Sequence, residues 1–205
     1  MKRHVLGIMV LSVMGLAANA QQNLSFGPTA GFGHTWMSNS PNSKYQPAGN
    51  VGVALTYSSS PHLGFGTEVK YSIEGGRVAN SNDEITTRLN YIRIPLKVIY
   101  FFGEFGDRVR PKIAVGPSFG FLTGGKIEHN DVESPIDVKD VYKSVDAGLT
   151  ASVGVNYRLV KNTWFVADVN YYNGFTNINE AANLKAKNRN LGLNIGVNFG
   201  IGTAK

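Results

Sequence analysis

Val145-Asp146-Ala147-Gly148-Leu149-Thr150-Ala151-Ser152-Val153-Gly154-Val155-Asn156-Tyr157 places an apolar side chain at every odd position and a polar residue or glycine at every even one. Successive side chains of an extended strand point to opposite faces, so this stretch is a strand with one apolar and one polar face. The spacing predicts a strand from Val141 to Tyr157. Unbroken alternation over that length excludes a helix, whose apolar residues recur every third or fourth position.

Working outward, seven further stretches keep the period of two. Leu24, Phe26, Pro28, Ala30, Phe32 and Trp36 oppose Ser25, Gly27, Thr29, Gly31, Gly33 and Thr35. Val51, Val53, Leu55 and Tyr57 form the second stripe, and Leu63, Phe65, Thr67, Val69, Tyr71 and Ile73 the third. Ile92 to Tyr100, Ile113 to Phe121, Phe165 to Tyr171 and Leu191 to Phe199 complete the set. The connections alternate in kind. Ser58 to His62, Gly103 to Arg110 and Arg158 to Asn162 read as short turns, whereas Met37 to Gly49, Gly75 to Thr87, Gly124 to Lys139 and Gly174 to Asn188 read as long polar loops. Eight strands with short turns at one end and long loops at the other predict an all-β, eight-stranded antiparallel up-and-down transmembrane β-barrel.

A soluble barrel would show the same alternation with its faces exchanged. Three features favour the membrane. The polar face is mostly Gly, Ser, Thr, Asn and Ala, as a crowded interior would be. Aromatic residues collect at both ends of the apolar stripes: Phe26, Tyr57, Tyr100, Tyr157 and Phe199 near the short turns, and Trp36, Tyr71, Phe121 and Tyr171 near the long loops. Such positions suit interfacial girdles. Most stripes also have the length a tilted membrane strand needs, about 9 to 11 residues.

The other parity sends Glu68, Lys70, Glu74, Arg93, Lys97, Lys112, Asp146 and Asp168 inward, four bases against four acids. An eight-stranded barrel is only wide enough for side chains to fill, and buried charges are costly unless paired. A mutually paired structural ladder is expected, helped by Tyr142, Asn170, Tyr172 and Asn194. A proton or ion path through the same groups is the alternative. Pro28, Pro117 and Pro95 fall inside strands and are expected to mark bulges or register shifts. The contexts Gly27-Pro28-Thr29-Ala30-Gly31-Phe32 and Gly116-Pro117-Ser118-Phe119-Gly120-Phe121 resemble each other, and the alternation slips between Arg88 and Tyr91.

The chain of 205 residues has no cysteine, so disulfides do not hold it together, and 24 glycines disfavour a helical bundle. Met1-Lys2-Arg3-His4, an apolar run from Val5 and Ala18-Asn19-Ala20 read as a signal peptide over residues 1–20, leaving a barrel domain over 21–205. Without those twenty residues the balance is about +4, too mild and too evenly spread for a nucleic-acid partner.

Leu89-Asn90-Tyr91-Ile92-Arg93-Ile94-Pro95-Leu96, followed by Pro111-Lys112-Ile113-Ala114-Val115-Gly116-Pro117, resembles the outer-membrane β-barrel domain family widespread in Bacteroidota, often labelled porin-family or PorT-like. Asp168 to Ile178 and Lys187 to Leu193 strengthen the likeness. The resemblance implies an integral barrel of the cell outer membrane whose partners are outer-membrane lipid and the barrel-assembly machinery. It transfers no catalytic residue. Such barrels commonly end on an aromatic residue, whereas here Phe199 is followed by a six-residue tail.

Enzymatic chemistry finds little support. His34, Ser38, Ser40, His129, Asp131 and Asp137 are the rim residues a hydrolytic triad could draw on, but their spacing forces none, and His62 reads as a turn residue. No metal spacing and no phosphate loop is present, and no cofactor is expected. The expected role is structural or surface-interacting, with an extracellular protein or glycan bound at the long loops. The alternative is a narrow channel or a component of a secretion or gliding apparatus, and a soluble periplasmic ligand-binding barrel stands third.

Overall fold

The computed structural model describes residues 23–38, 42–80, 83–130, 132–133, 136–181 and 184–201. The elements in chain order are β1 (Leu24–Ser38), β2 (Ser43–Lys44), β3 (Gln46–Ser58), β4 (Leu63–Asn80), β5 (Asp83–Phe101), β6 (Val109–His129), β7 (Val132–Glu133), α1 (Val138–Val141), β8 (Val145–Val160), β9 (Thr163–Gly174) and β10 (Lys187–Ile201). The expected signal peptide, Ser40, Asp131 and the tail after Ile201 lie outside the described residues.

Eight long strands, β1, β3, β4, β5, β6, β8, β9 and β10, pair antiparallel with their neighbours in chain order. β1 closes the ring on β10, from Leu24↔Ile201 to Ser38↔Lys187. Closure leaves no sheet edge in the membrane, where an unpaired N–H finds no water. The parity predicted from sequence holds, and the burial decides which solvent surrounds it. Phe32 and Val51 are 66% and 59% exposed, while Glu74 and Asp146 are 1% and 0% exposed. A belt of bare apolar side chains on every strand around a charged interior suits lipid outside and not water.

Three expectations need correction. Gly75 to Thr87 is not an open loop: β4 and β5 stay paired from Gly75↔Arg88 to Asn80↔Asp83, and β6 follows them to His129. β2 and β7 flank this tall wall, β2 on β4 and β7 on β6. Second, β8 begins at Val145, because Val138–Val141 closes a helical turn capped by the Asp137 side chain. Third, the prolines do not shift register. Pairing of β1 with β10 lapses across Gly27–Pro28 and resumes unchanged, and pairing of β5 with β6 does the same across Gly116–Pro117. The ladder between β4 and β5 likewise lapses opposite Pro95 without slipping. Register slips instead at Asn90/Tyr91, between β5 and β6, and at Arg158/Val160, between β8 and β9. The first of these is where the alternation falters in the sequence. The irregularity belongs to the partner strand, since Asn90 faces Gly124 and Tyr91 faces Leu122, leaving Thr123 as the extra residue.

Candidate functional site

The lumen holds the charged residues in two groups. Towards the long-loop end, Arg93 on β5 forks onto Glu74 of β4, with Nε donating to Oε1 at 2.5 Å and Nη2 to Oε2 at 2.7 Å. The same Nη2 reaches Asp146 Oδ2 on β8 at 2.8 Å. Two neutral donors complete the Asp146 carboxylate: Thr176 Oγ1 at 2.8 Å from Oδ1 and Asn188 Nδ2 at 3.1 Å from Oδ2. The ring centroids of Tyr172 and Tyr91 lie 3.9 and 5.4 Å from the Arg93 guanidinium carbon, both cation–π contacts. Planar, bidentate pairing is what guanidinium geometry offers and lysine lacks.

Towards the short turns, Glu68 on β4 bonds Lys97 and lies 3.0 Å from Lys70, and Lys112 Nζ donates to Asp168 Oδ2 at 3.0 Å. Lys70 also lines the cavity beside Glu74 and Arg93, so it bridges the two groups. Small polar cavities of about 30 and 20 Å³ lie among these residues. Each has room for single water molecules and for no larger ligand.

The sequence reading assigned Tyr142, Asn170, Tyr172 and Asn194 to this network, and the structure separates them. Tyr172 touches Arg93. Asn194 exchanges hydrogen bonds with Asn50 at 3.3 Å, and Asn170 donates to the Asp168 carbonyl at 3.1 Å. Tyr142 is not in the barrel wall at all; its hydroxyl lies 3.5 Å from Thr87 Oγ1 over the mouth, where burial pushes the phenol pKa up against the opposing effect of that hydrogen bond. Sequence reasoning missed Asn188 and Tyr91, which meet at 3.4 Å beside Asp146. The signal for Asn188 was present: Asn188, Asn190, Asn194 and Asn198 share one parity on β10.

Above the charges, an apolar cap closes the mouth. Val138 and Tyr142 from the segment between β7 and β8, and Ile178 and Ala186 from that between β9 and β10, pack on Met37, Leu89, Tyr91 and Leu122 of the wall. The two segments are stitched together by Lys143 N–H donating to the Ile178 carbonyl at 2.7 Å and Glu180 N–H to the Val141 carbonyl at 2.9 Å. Parts of two of the long loops expected to form the binding surface are thus folded into a small core of their own.

The rim residues considered for hydrolysis do not converge. His34 faces outward against the Tyr45 ring, His129 pairs with Asp83 at the end of the wall, and Asp137 caps α1. Ser38 hydroxyl donates to the Lys187 carbonyl at 3.3 Å. His62 lies 3.4 Å from Glu104 at the opposite end of the barrel. Among the described residues no group of His, Cys, Asp or Glu is arranged to hold a metal ion.

No curated protein sequence matches this chain. Solved structures similar to it include Neisserial surface protein A, at 18% identity and a TM-score of 0.53, covering 85% of this chain and 96% of that one. A major outer membrane protein of Thermus thermophilus matches at 15% identity and a TM-score of 0.49, covering 86% and 98%. The N-terminal β-barrel domain of Pseudomonas aeruginosa OprF matches at 16% and 0.48, covering 87% and 98%. Identities this low speak to fold alone. The family match goes further: residues 19–180 fit the family described as outer membrane protein beta-barrel domain. With a closed barrel, an apolar exterior and a match over most of its length, the chain belongs to the outer membrane protein β-barrel domain family, and its place is the bacterial outer membrane.

Proposed function

We propose that this protein is a closed, non-conducting barrel that anchors an extracellular surface and presents it for interaction with a protein or glycan. The observation that carries the reading is the pairing of a charge-filled lumen with an apolar cap: Arg93, Glu74 and Asp146 below, Val138, Tyr142 and Ile178 above. Among the described residues the lumen leaves small cavities between side chains whose removal from one another would be costly. The surface offered outward is the tall wall of β4, β5 and β6, whose outer face bears Arg77, Glu84, Arg88, Lys126 and Glu128, together with the cap. Recognition carried on rigid elements and short loops suits a binding module. The eight inward charges then serve as structure and not as a transport path.

On this reading residues 1–20 are removed during export, and the barrel-assembly machinery inserts residues 21–205. Placement among the PorT-like barrels of Bacteroidota rests on the sequence blocks around Leu89 and Pro111 and is part of the same proposal. The test is a planar-bilayer recording of the purified, heat-modifiable barrel and of Asp168→Ala. Silence from both is expected. Steady conductance from the unaltered protein, changed by Asp168→Ala, would replace this reading with a narrow channel.

A further inference from the structure

The outward face changes character over three rows of side chains where β9, β10 and β1 reach the long-loop end. The lowest row, Phe32↔Leu193 with Val169 beyond, is purely apolar. Next, His34↔Leu191 leads to Tyr171. Then come Trp36↔Arg189 and Asn173, with Tyr45 beside Trp36 at a ring separation of 5.0 Å. Ser38↔Lys187 lies one row higher. Rows on one face of a strand are about 7 Å apart, so this face passes from the acyl chains through the aromatic belt to cations at headgroup level over about 14 Å of tilted strand.

On the wall of β4, β5 and β6 the cations are answered by carboxylates: Arg77 by Glu84 at 3.0 Å, Arg88 by Glu128 at 3.4 Å, and Lys126 by Glu128. Arg189 and Lys187 are not. Among the described residues no carboxylate pairs with either, and Asn173 Oδ1 takes only the Nε–H of Arg189, at 2.9 Å. That bond holds the guanidinium by Nε and leaves its two amino groups without an acceptor among the described residues. Both side chains are half-buried against the barrel wall and sit on one parity of β10, about 7 Å apart. Trp36 and Tyr171, 6.3 Å apart, form an aromatic floor beside them.

We infer that Arg189 and Lys187 form a binding site for an anionic, phosphate-bearing lipid headgroup of the outer leaflet, one whose phosphate charge is not offset by a cation of its own, with Trp36 and Tyr171 against the first segment of its acyl chain. A fixed guanidinium matches phosphate oxygens bidentately, a nearby ammonium adds a second charge, and the aromatic floor gives a lipid an advantage over a soluble anion. The site is independent of what the cap and wall recognise.

The test uses the two tryptophans. Trp164→Phe, at the short-turn end, leaves Trp36 as the sole reporter. The folded protein is placed in phosphatidylcholine vesicles in which one-third of the lipid is brominated, either as phosphatidylcholine or as phosphatidylglycerol. Quenching of Trp36 should show a preference for phosphatidylglycerol on the order of five- to tenfold. Lys187→Gln with Arg189→Gln should bring the ratio to unity while heat-modifiable gel mobility is kept. Lys187→Gln alone should reduce it, and serves if the double variant does not fold. Arg158→Gln with Lys161→Gln, at the opposite end, should leave it unchanged. Equal quenching by the two lipids, or a preference that survives in the double variant, overturns the site. Loss of the preference when inorganic phosphate replaces chloride at equal ionic strength would make it a soluble-anion site and overturn the lipid assignment.

Discussion

Arg93 holds two carboxylates at once, and this sets the cost of removing it. Arg93→Met leaves Glu74 and Asp146 buried without their cation, a loss that typically costs about 3–5 kcal/mol. Replacing Glu74 and Asp146 by Leu in the same chain should recover at least half of it, since an apolar trio of similar volume has no charge to strand. Urea unfolding in detergent, followed by tryptophan fluorescence, reads both; a neutral Arg93→Met would show that the trio does not hold the lumen. The two Gly-Pro steps make a second prediction. Opposite Pro28 and Pro117, which have no N–H, the carbonyls of Val197 and Leu96 lean onto Gly27 and Gly116, so closely that a Cβ there would overlap the oxygen. Gly116→Ala should cost about 1–3 kcal/mol or more in the same assay. Gly124→Ala, whose Cβ meets nothing within 4 Å, should stay within about 0.5 kcal/mol of the parent. The likeness of the two Gly-Pro contexts was visible in the sequence, but its meaning was not. A proline inside a strand signals a missing donor, and only the neighbouring strand shows whether the response is a slipped register or a carbonyl closing on glycine.

At the scale of elements, the sequence was legible where lipid imposes a pattern and silent where it does not. Every membrane strand was readable because one face must be apolar. Gly75-Gly76-Arg77-Val78-Ala79-Asn80 has no such obligation: above the membrane its outer face meets water, so alternation fades although backbone pairing continues. The cap left a fainter mark, isolated apolar residues such as Val138 and Ile178 within polar stretches. Tyr142 ties the cap to the wall and gives it a pH dependence. Burial favours the neutral phenol, so its pKa in the folded protein lies above the value of 10.0 it has in the unfolded chain. The stabilisation is therefore complete below pH 10 and is lost as pH rises from there through the folded value. The absorbance of tyrosinate at alkaline pH, taken as the difference between the parent and Tyr142→Phe, should have its midpoint above 10.0. Over the same range the parent should lose stability relative to Tyr142→Phe; a midpoint at or below that value would place Tyr142 in water and the cap open.

For the whole molecule, closure decides more than any contact within it. A sheet of this length in lipid has no marginal state with a free edge, because each unpaired N–H or carbonyl in hydrocarbon costs several kcal/mol. The seam between β1 and β10 joins the two ends of the described chain: Leu24, Ser25 and Phe26 pair with Ile201, Gly200 and Phe199. Strands β3 to β9 can meet through short turns, the hairpin of the wall and the single cap segment between β6 and β8, whereas this pair brings together residues separated by most of the sequence. The seam therefore forms only when all other strands are in register, and its last pairs complete the ring. A chain ending at Gly196 keeps every inward charge, the cap and the wall, yet leaves the β1 backbone from Leu24 to Phe26 without its partner on that side. The full chain should appear in the outer-membrane fraction as a compact band that slows on boiling, as a closed barrel does when it opens. The shortened chain should lose that compact band and the protease resistance that accompanies it, despite retaining the whole charged lumen. If it instead migrated as a heat-modifiable species, the paired charges and the cap would suffice to hold the sheet closed, and the seam would be the last and least part of the fold's stability.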